Sequence, residues 1–240
     1  MNRPQPVVFL SGLDGTGPEN ALMRFRLTYE GPLRPTQREP EDHQPHPMAP
    51  HQHTIRKSFH KQLKRLWSTN RFLRECRVHP KFYAAPYTPA DGAMWAPNPD
   101  ELIPYVDAVA TNYHEYGYRF VPLVREEISL MCSLDILFLR RDVPGSVVSA
   151  GEIDNRLKTI IDALRRPRNA KEAIGAPDDD EDPFFCLMED DKQINRLTIE
   201  ADTLLDPLTN TESDSSKARV IITVDVHPYH ATNFNLSFAS

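Results

Sequence analysis

Apolar and polar positions alternate most cleanly between Ser129 and Leu139, where Leu130, Cys132, Leu134, Ile136 and Phe138 share one side of an extended chain. A period of two sends successive side chains to opposite faces, so this segment is expected to be a strand with one face in the core. The same pattern predicts strands over 23–29 and over Arg219–Val226. Two shorter apolar stretches, Phe184–Met188 and the set Ile194, Leu197 and Ile199, add two more. The spacing changes to the helical one at Ile55, Phe59, Leu63, Leu66, Asn70 and Leu73. That predicts a helix at about 54–68 with Thr54 as its N-cap. A second helix is expected at about 154–165, stopped by Pro167. The order β-α-β-α-β-β-β predicts an α/β (α+β) fold. It would be a mixed sheet with two main helices, in a single domain spanning 1–240.

Proline interrupts this pattern. Its 22 copies in 240 residues are about 9% of the chain, against roughly 5% on average. They concentrate in 30–53, which also holds His43, His46, His51 and His53, and in 80–104. Proline disfavours regular helices and ladders, so both stretches are expected to be irregular insertions, and the histidines to sit in a mobile loop. A third insertion, 166–183, ends in Asp178-Asp179-Asp180-Glu181-Asp182 and is expected to be a solvated acidic loop. Asp14-Gly15-Thr16-Gly17 lacks the Gly-Lys-Ser/Thr end of a phosphate loop and predicts a turn.

Charge and cysteine narrow the function classes. The net charge is −6, so the protein as a whole is not a basic nucleic-acid binder. Between 54 and 81, however, nine Lys and Arg face only Glu75. The clustering makes Lys57, Lys61, Lys64 and Arg65 candidates for phosphate contact on the first helix. Trp67 and Phe72 are expected in the core. Cys76, Cys132 and Cys186 are widely spaced and form no C-x-x-C pair, which suits a reducing cytosol rather than a disulfide framework or zinc ribbon. No apolar run is long enough to cross a membrane, and the apolar residues after the N-terminus are too few for a signal peptide.

The segment Glu152-Ile153-Asp154-Asn155-Arg156-Leu157-Lys158-Thr159-Ile160-Ile161-Asp162-Ala163-Leu164 begins where a loop feeds a helix. Asp154, Lys158 and Asp162 lie one turn apart on one face. Another acidic pair, Asp190-Asp191, follows the Phe184–Met188 strand. Carboxylates converging from a helix start and a strand end are the protein's usual share of a Mg²⁺ shell. Such a site activates water and neutralises charge on a reacting phosphodiester, and an adjacent lysine would stabilise the developing charge. The alternative is structural: acidic residues at a helix start interact well with its dipole, and Lys158–Asp162 would be a plain helical ion pair.

The two motifs, E-I-D-N-R-L-K-T-I-I-D-A-L and then E-D-D-K-Q-I, resemble those of the RusA family of Holliday junction resolvases. Asp154, Asn155, Lys158, Asp162, Ala163, Leu164, Asp190, Asp191 and Gln193 match in order over roughly 129–228. The resemblance implies a Mg²⁺-dependent (or Mn²⁺-dependent), structure-selective endodeoxyribonuclease for branched DNA in repair and recombination. It implies a homodimer in a prokaryotic or phage cytoplasm, associated with the nucleoid. By position, Glu152, Asp154 and Asp191 would hold the metal, with Asp190 a secondary contact. Lys158 would be the catalytic lysine, acting with Asp154 and Asp191, while Asn155 and Asp162 would hold the site together. Glu152 stands where the family usually has Asp, and the chain is about twice the minimal length. Those departures motivate the rival reading, a catalytically degenerate RusA-like protein that binds branched DNA or a protein partner without cutting. A phosphodiesterase acting on RNA is a third.

Overall fold

In the computed structural model, the described residues are 8–9, 23–35, 47–80, 99–140, 152–205, 217–231 and 234–235; the side chains of Val8, Phe9, Pro99, Glu152, Ile153 and Lys217 are not among them. The glycine turn at 14–17, residues 36–46 of the first proline-rich stretch with His43 and His46, and residues 81–98 of the second lie outside this set. The chain is mixed α and β. Its strands are β1 (Val8–Phe9), β2 (Met23–Pro32), β3 (Arg77–Val78), β4 (Ile103–Pro104), β5 (His114–Glu115), β6 (Tyr118–Val124), β7 (Leu130–Arg140), β8 (Phe184–Met188), β9 (Ile194–Thr203) and β10 (Lys217–Pro228). The helices are α1 (Ala49–Thr69), α2 (Arg71–Glu75), α3 (Tyr105–Asn112) and α4 (Glu152–Leu164).

The main sheet has the order β2-β10-β7-β9, with β10 antiparallel to both neighbours and β7 parallel to β9. The alternation read from the sequence sets its faces. Leu130, Cys132, Leu134, Ile136 and Phe138 of β7 lie beside Val220, Ile222, Val224 and Val226 of β10, all buried. A second sheet, β5-β6-β8, carries the parallel pair β6 and β8, and β1-β3-β4 forms a third, small one. Helix α1 adds Ile55, Phe59 and Leu63, at most 1% exposed, to the same core. Each such side chain contributes about 1.5–3 kcal/mol by leaving water. Trp67 is buried beside Tyr105, and Phe72 packs against the core, as expected. Burial pushes the thiols of Cys76, Cys132 and Cys186 up to about 12, so they act as small apolar residues.

Three expectations change. Helix α1 starts at Ala49, five residues before Thr54, whose hydroxyl instead donates to the Pro50 carbonyl at 3.0 Å. Pro50 sits in the first turn, where its missing N–H has no helical acceptor to lose. His51 and His53 are therefore helical rather than in a mobile loop. His51 Nε2 accepts from the Arg34 amide at 3.2 Å. His53 is buried against Phe184 and Tyr118, and burial, then Arg56 and Lys57, depress its pKa to about 4. α1 ends at Asn70, whose extended backbone breaks the helix and whose side chain accepts from the Leu73 amide to start α2. The 80–104 stretch is irregular only in part, since a short 3₁₀ turn at Pro99–Glu101 and β4 lie at its end. The acidic insertion is a loop with Asp178, Asp179, Asp180 and Asp182 exposed, as expected, although Glu172 and Glu181 are buried.

Candidate functional site

Helix α4 carries the first motif. Asp154 and Asn155 are exposed in its first turn, and Lys158 is exposed one turn on. Leu157, Ile160, Ala163 and Leu164 face the core. Asp162 breaks the stripe, because it is buried. Its Oδ1 accepts from Arg165 Nη2 at 2.7 Å and Nε at 3.1 Å, and its Oδ2 accepts from Gln52 Nε2 at 3.1 Å. Arg165 also donates to buried Glu172 at 2.7 Å. Arg56, fully buried, donates to the backbone carbonyls of Asp162 at 2.9 Å and Arg165 at 3.2 Å. Asp162 and Arg56 thus join α4 to α1, and at 6% and 1% exposed they are too buried to meet a metal or a phosphate at the surface.

The second motif lies at the other end of the helix. The Arg166 amide donates to the Met188 carbonyl at 3.1 Å, and Arg165 and Met188 form a parallel bridge. β8 therefore ends where α4 ends, and Asp190 and Asp191 emerge there. Ten residues separate Asp154 from Leu164, roughly 15 Å of helix axis. Ligand oxygens in a Mg²⁺ shell lie about 2.0–2.1 Å from the ion. Asp154 and Asp191 of one chain do not come together on that scale. Lys158 stays with Asp154 and is likewise apart from Asp191. Among the described residues, no group of three or more His, Cys, Asp or Glu side chains is arranged to hold a metal. The side chain of Glu152 lies outside the described set.

The Asp190-Asp191-Lys192-Gln193 motif has local work of its own. Asp190 caps the short 3₁₀ turn Asp191–Gln193: its Oδ1 accepts from the Lys192 amide at 3.1 Å, while Gln193 Oε1 accepts from the Asp190 amide at 3.0 Å. This is a reciprocal capping box. Arg168, from the 166–183 insertion, donates to Asp190 Oδ2 at 3.2 Å and to Asp191 Oδ1. Burial opposes ionisation of Asp190, but the Lys192 amide, Asp191 and Arg168 together hold its pKa below the usual carboxylate value. Arg168 was not anticipated, because nothing in its local sequence marks it as the counter-ion of a pair more than twenty residues away.

The basic face of α1 is partly covered by the chain's own acidic insertion. Lys57 Nζ lies 2.8 Å from Asp178 and 2.7 Å from Glu181, whose side chain is only 4% exposed. These bonds raise the lysine's pKa above its ordinary value and lower that of Asp178. Lys64 Nζ donates to the Asp180 carbonyl at 2.7 Å. His60 Nδ1 accepts from the Phe185 amide at 2.9 Å, so Nε2 carries the proton and faces the Asp180 carbonyl at 3.1 Å. Burial lowers the pKa of His60 and favours this neutral form. Lys61 and Arg65 differ: both are exposed, and neither side chain has a partner among the described residues. Of the four candidate phosphate contacts, Lys57 and Lys64 are engaged within the chain, and Lys61 and Arg65 are open.

No family model, curated protein or solved structure matches the chain. No helix among the described residues is long and apolar enough to cross a membrane.

Proposed function

We propose that this chain is a RusA-like protein that binds branched DNA and, as a single chain, does not cut it. The observation that carries the reading is the separation of the two acidic motifs. Asp154 stands at the start of α4, and Asp190 and Asp191 stand past its end, held by Arg168. Among the described residues, Asp154, Asp190 and Asp191 do not gather into one metal site within a chain. The order of the motifs supports kinship with a junction-binding family, and Lys61 and Arg65 offer open cationic groups for phosphates. A protein that recognises DNA by shape needs such charges more than it needs base contacts.

A second reading, a Mg²⁺-dependent endodeoxyribonuclease, rests on the exposure of Asp154 and Lys158 in family order. One set of assays separates the two. Four-way junction, flap, duplex and RNA substrates are incubated with the protein in Mg²⁺ or Mn²⁺, and binding and cleavage are both scored. The expected result is salt-dependent binding to the junction with no cleavage, unchanged in Asp154→Asn. Cleavage lost in Asp154→Asn would establish the nuclease reading instead. Absence of binding to every substrate would remove both.

A further inference from the structure

Strand β9 pairs with β7 from Ile194 to Thr203, and no described strand pairs with its other edge. An open edge is a row of unsatisfied N–H and C=O groups, which proteins usually blunt with proline, bulges or inward-pointing charge. Here the one register shift lies at the start of the strand, between Cys132 and Ser133 of its neighbour. From Arg196 to Thr203 the strand contains neither Pro nor Gly. On the core-side face Leu197, Ile199 and Ala201 lie opposite Leu134, Ile136 and Phe138 of β7. Those three β7 residues are buried, yet Leu197 and Ile199 are each 38% exposed. The apolar face of the sheet therefore continues past its cover.

We propose that β9 is a homodimer interface, pairing antiparallel with β9 of a second copy about a two-fold axis at Thr198. The strand is self-complementary in that register. On the core-side face Leu197 meets Ile199 of the second copy, and Ile199 meets Leu197. On the other face Arg196, whose Nη2 also lies 3.4 Å from Asp135 of its own chain and whose side chain is still 60% exposed, meets Glu200 of the second copy, and Glu200 meets Arg196. A two-fold axis makes every such contact twice, as an isologous interface requires. Apolar and opposite-charge cross-strand pairs are those that stabilise antiparallel ladders. The result is a continuous eight-stranded sheet with its two free β9 edges removed. Shifting the axis to Glu200 would set that residue against its own copy, and shifting it to Leu197 would set Arg196 against Thr198 and lose its pairing with Glu200. The RusA resemblance implies a homodimer but names no surface. This surface and register rest on the strand alone, whether or not the chain binds DNA.

Sedimentation equilibrium of the full chain, without DNA, tests the proposal. A dimer is expected at micromolar concentration. Arg196→Glu alone and Glu200→Arg alone each place like charges opposite one another twice, and each is expected to weaken the dimer about tenfold or more. The double variant Arg196→Glu/Glu200→Arg restores the pairs and is expected to bring dissociation back to within a few fold of the parent. Leu197→Lys/Ile199→Lys is expected to give a monomer whose circular dichroism is unchanged. In the parent dimer, hydrogen exchange is expected to protect β9 amides that exchange freely in the Lys variant. A parent that stays monomeric at tens of micromolar overturns the interface. A dimer that tolerates both single charge reversals, or that the double variant fails to restore, overturns the register.

Discussion

Replacing Asp162 with Asn separates stability from chemistry in the acidic motif. Asp162 is 6% exposed and binds Arg165 through Nη2 and Nε, with Gln52 on its other oxygen. Removing one member of a buried ion pair costs about 3–5 kcal/mol, because the remaining charge is left without compensation. Arg165 keeps Glu172 at 2.7 Å, so the loss is expected at the lower end or below it, about 2–3 kcal/mol. Asn also presents an NH₂ group where an acceptor stood. It faces the donors of either Gln52 or Arg165 and leaves one buried group unmatched, which costs about 1 kcal/mol or more. The expected total is about 3 kcal/mol. For a chain of this size each kcal/mol lowers Tm by about 2–4 °C, so the variant is expected to melt about 6–12 °C below the parent. The assay is urea denaturation followed by circular dichroism, with thermal melts alongside. Asp154→Asn, changing an exposed residue of the same motif, serves as the control and is expected to stay within about 0.5 kcal/mol. An Asp162→Asn variant as stable as the control would show that the buried network is not holding α4 to α1, and the structural role given to this residue would fall.

Two further outcomes follow from the basic helix and the buried histidines. Lys61→Ala/Arg65→Ala is expected to reduce the dependence of log K on log salt by about 0.9 per lost phosphate contact on duplex arms. Lys57→Ala is expected to leave that slope unchanged and to lower stability by at least about 1 kcal/mol, since Glu181 stays buried without its cation. Equal effects of the two variants on the slope, measured by titrating junction binding at several salt concentrations, would refute the distinction. His53, with a folded pKa of about 4, and His60, also lowered, are neutral in the fold but take up protons in the unfolded chain near the ordinary histidine value. The unfolded state then binds more protons, so stability is expected to fall as pH drops from about 6.5 toward 4. His53→Phe is expected to flatten part of that fall in melts taken across the window. An identical pH profile in the variant would refute the assignment.

The strands that the sequence made legible are those with one face in the core. β7 and β10 alternate because their second face is only half covered, and the short apolar run of β8 stands out by its flanks. β6 was not read, because Tyr118-Arg119-Phe120-Val121-Pro122-Leu123-Val124 is buried nearly throughout and shows no alternation. A strand buried on both faces beside a parallel partner reads as a continuous apolar run, and Pro122 further disguises it. α3 is too short for its period to show. The start of α1 was missed because proline ends most helical patterns but is tolerated in a first turn. The acidic run is solvated at Asp178, Asp179, Asp180 and Asp182, as its composition suggests, but composition does not reveal that Glu172 and Glu181 find Arg165 and Lys57.

The candidate site was legible as a motif and illegible as a shape, and the reason lies in the insertion between its halves. Spacing within one helix fixes which residues share a face, so the relation of Asp154 to Lys158 can be read directly. The relation of Asp154 to Asp191 depends on the direction in which the chain returns after Leu164. A strand entered straight from the helix end would run back toward the helix start and bring its terminal carboxylates to Asp154. Here the residues of 166–183 intervene, anchored by Arg165–Glu172 on one side and Lys57–Glu181 on the other. β8 is then entered from the far side and finishes beside Arg165, as the parallel bridge to Met188 shows. The same insertion supplies Arg168, which occupies the carboxylates of Asp190 and Asp191. One segment therefore both parts the two acidic motifs and provides the counter-ion for the second. The two acidic segments therefore follow one another closely in sequence while their carboxylates stand at opposite ends of a helix.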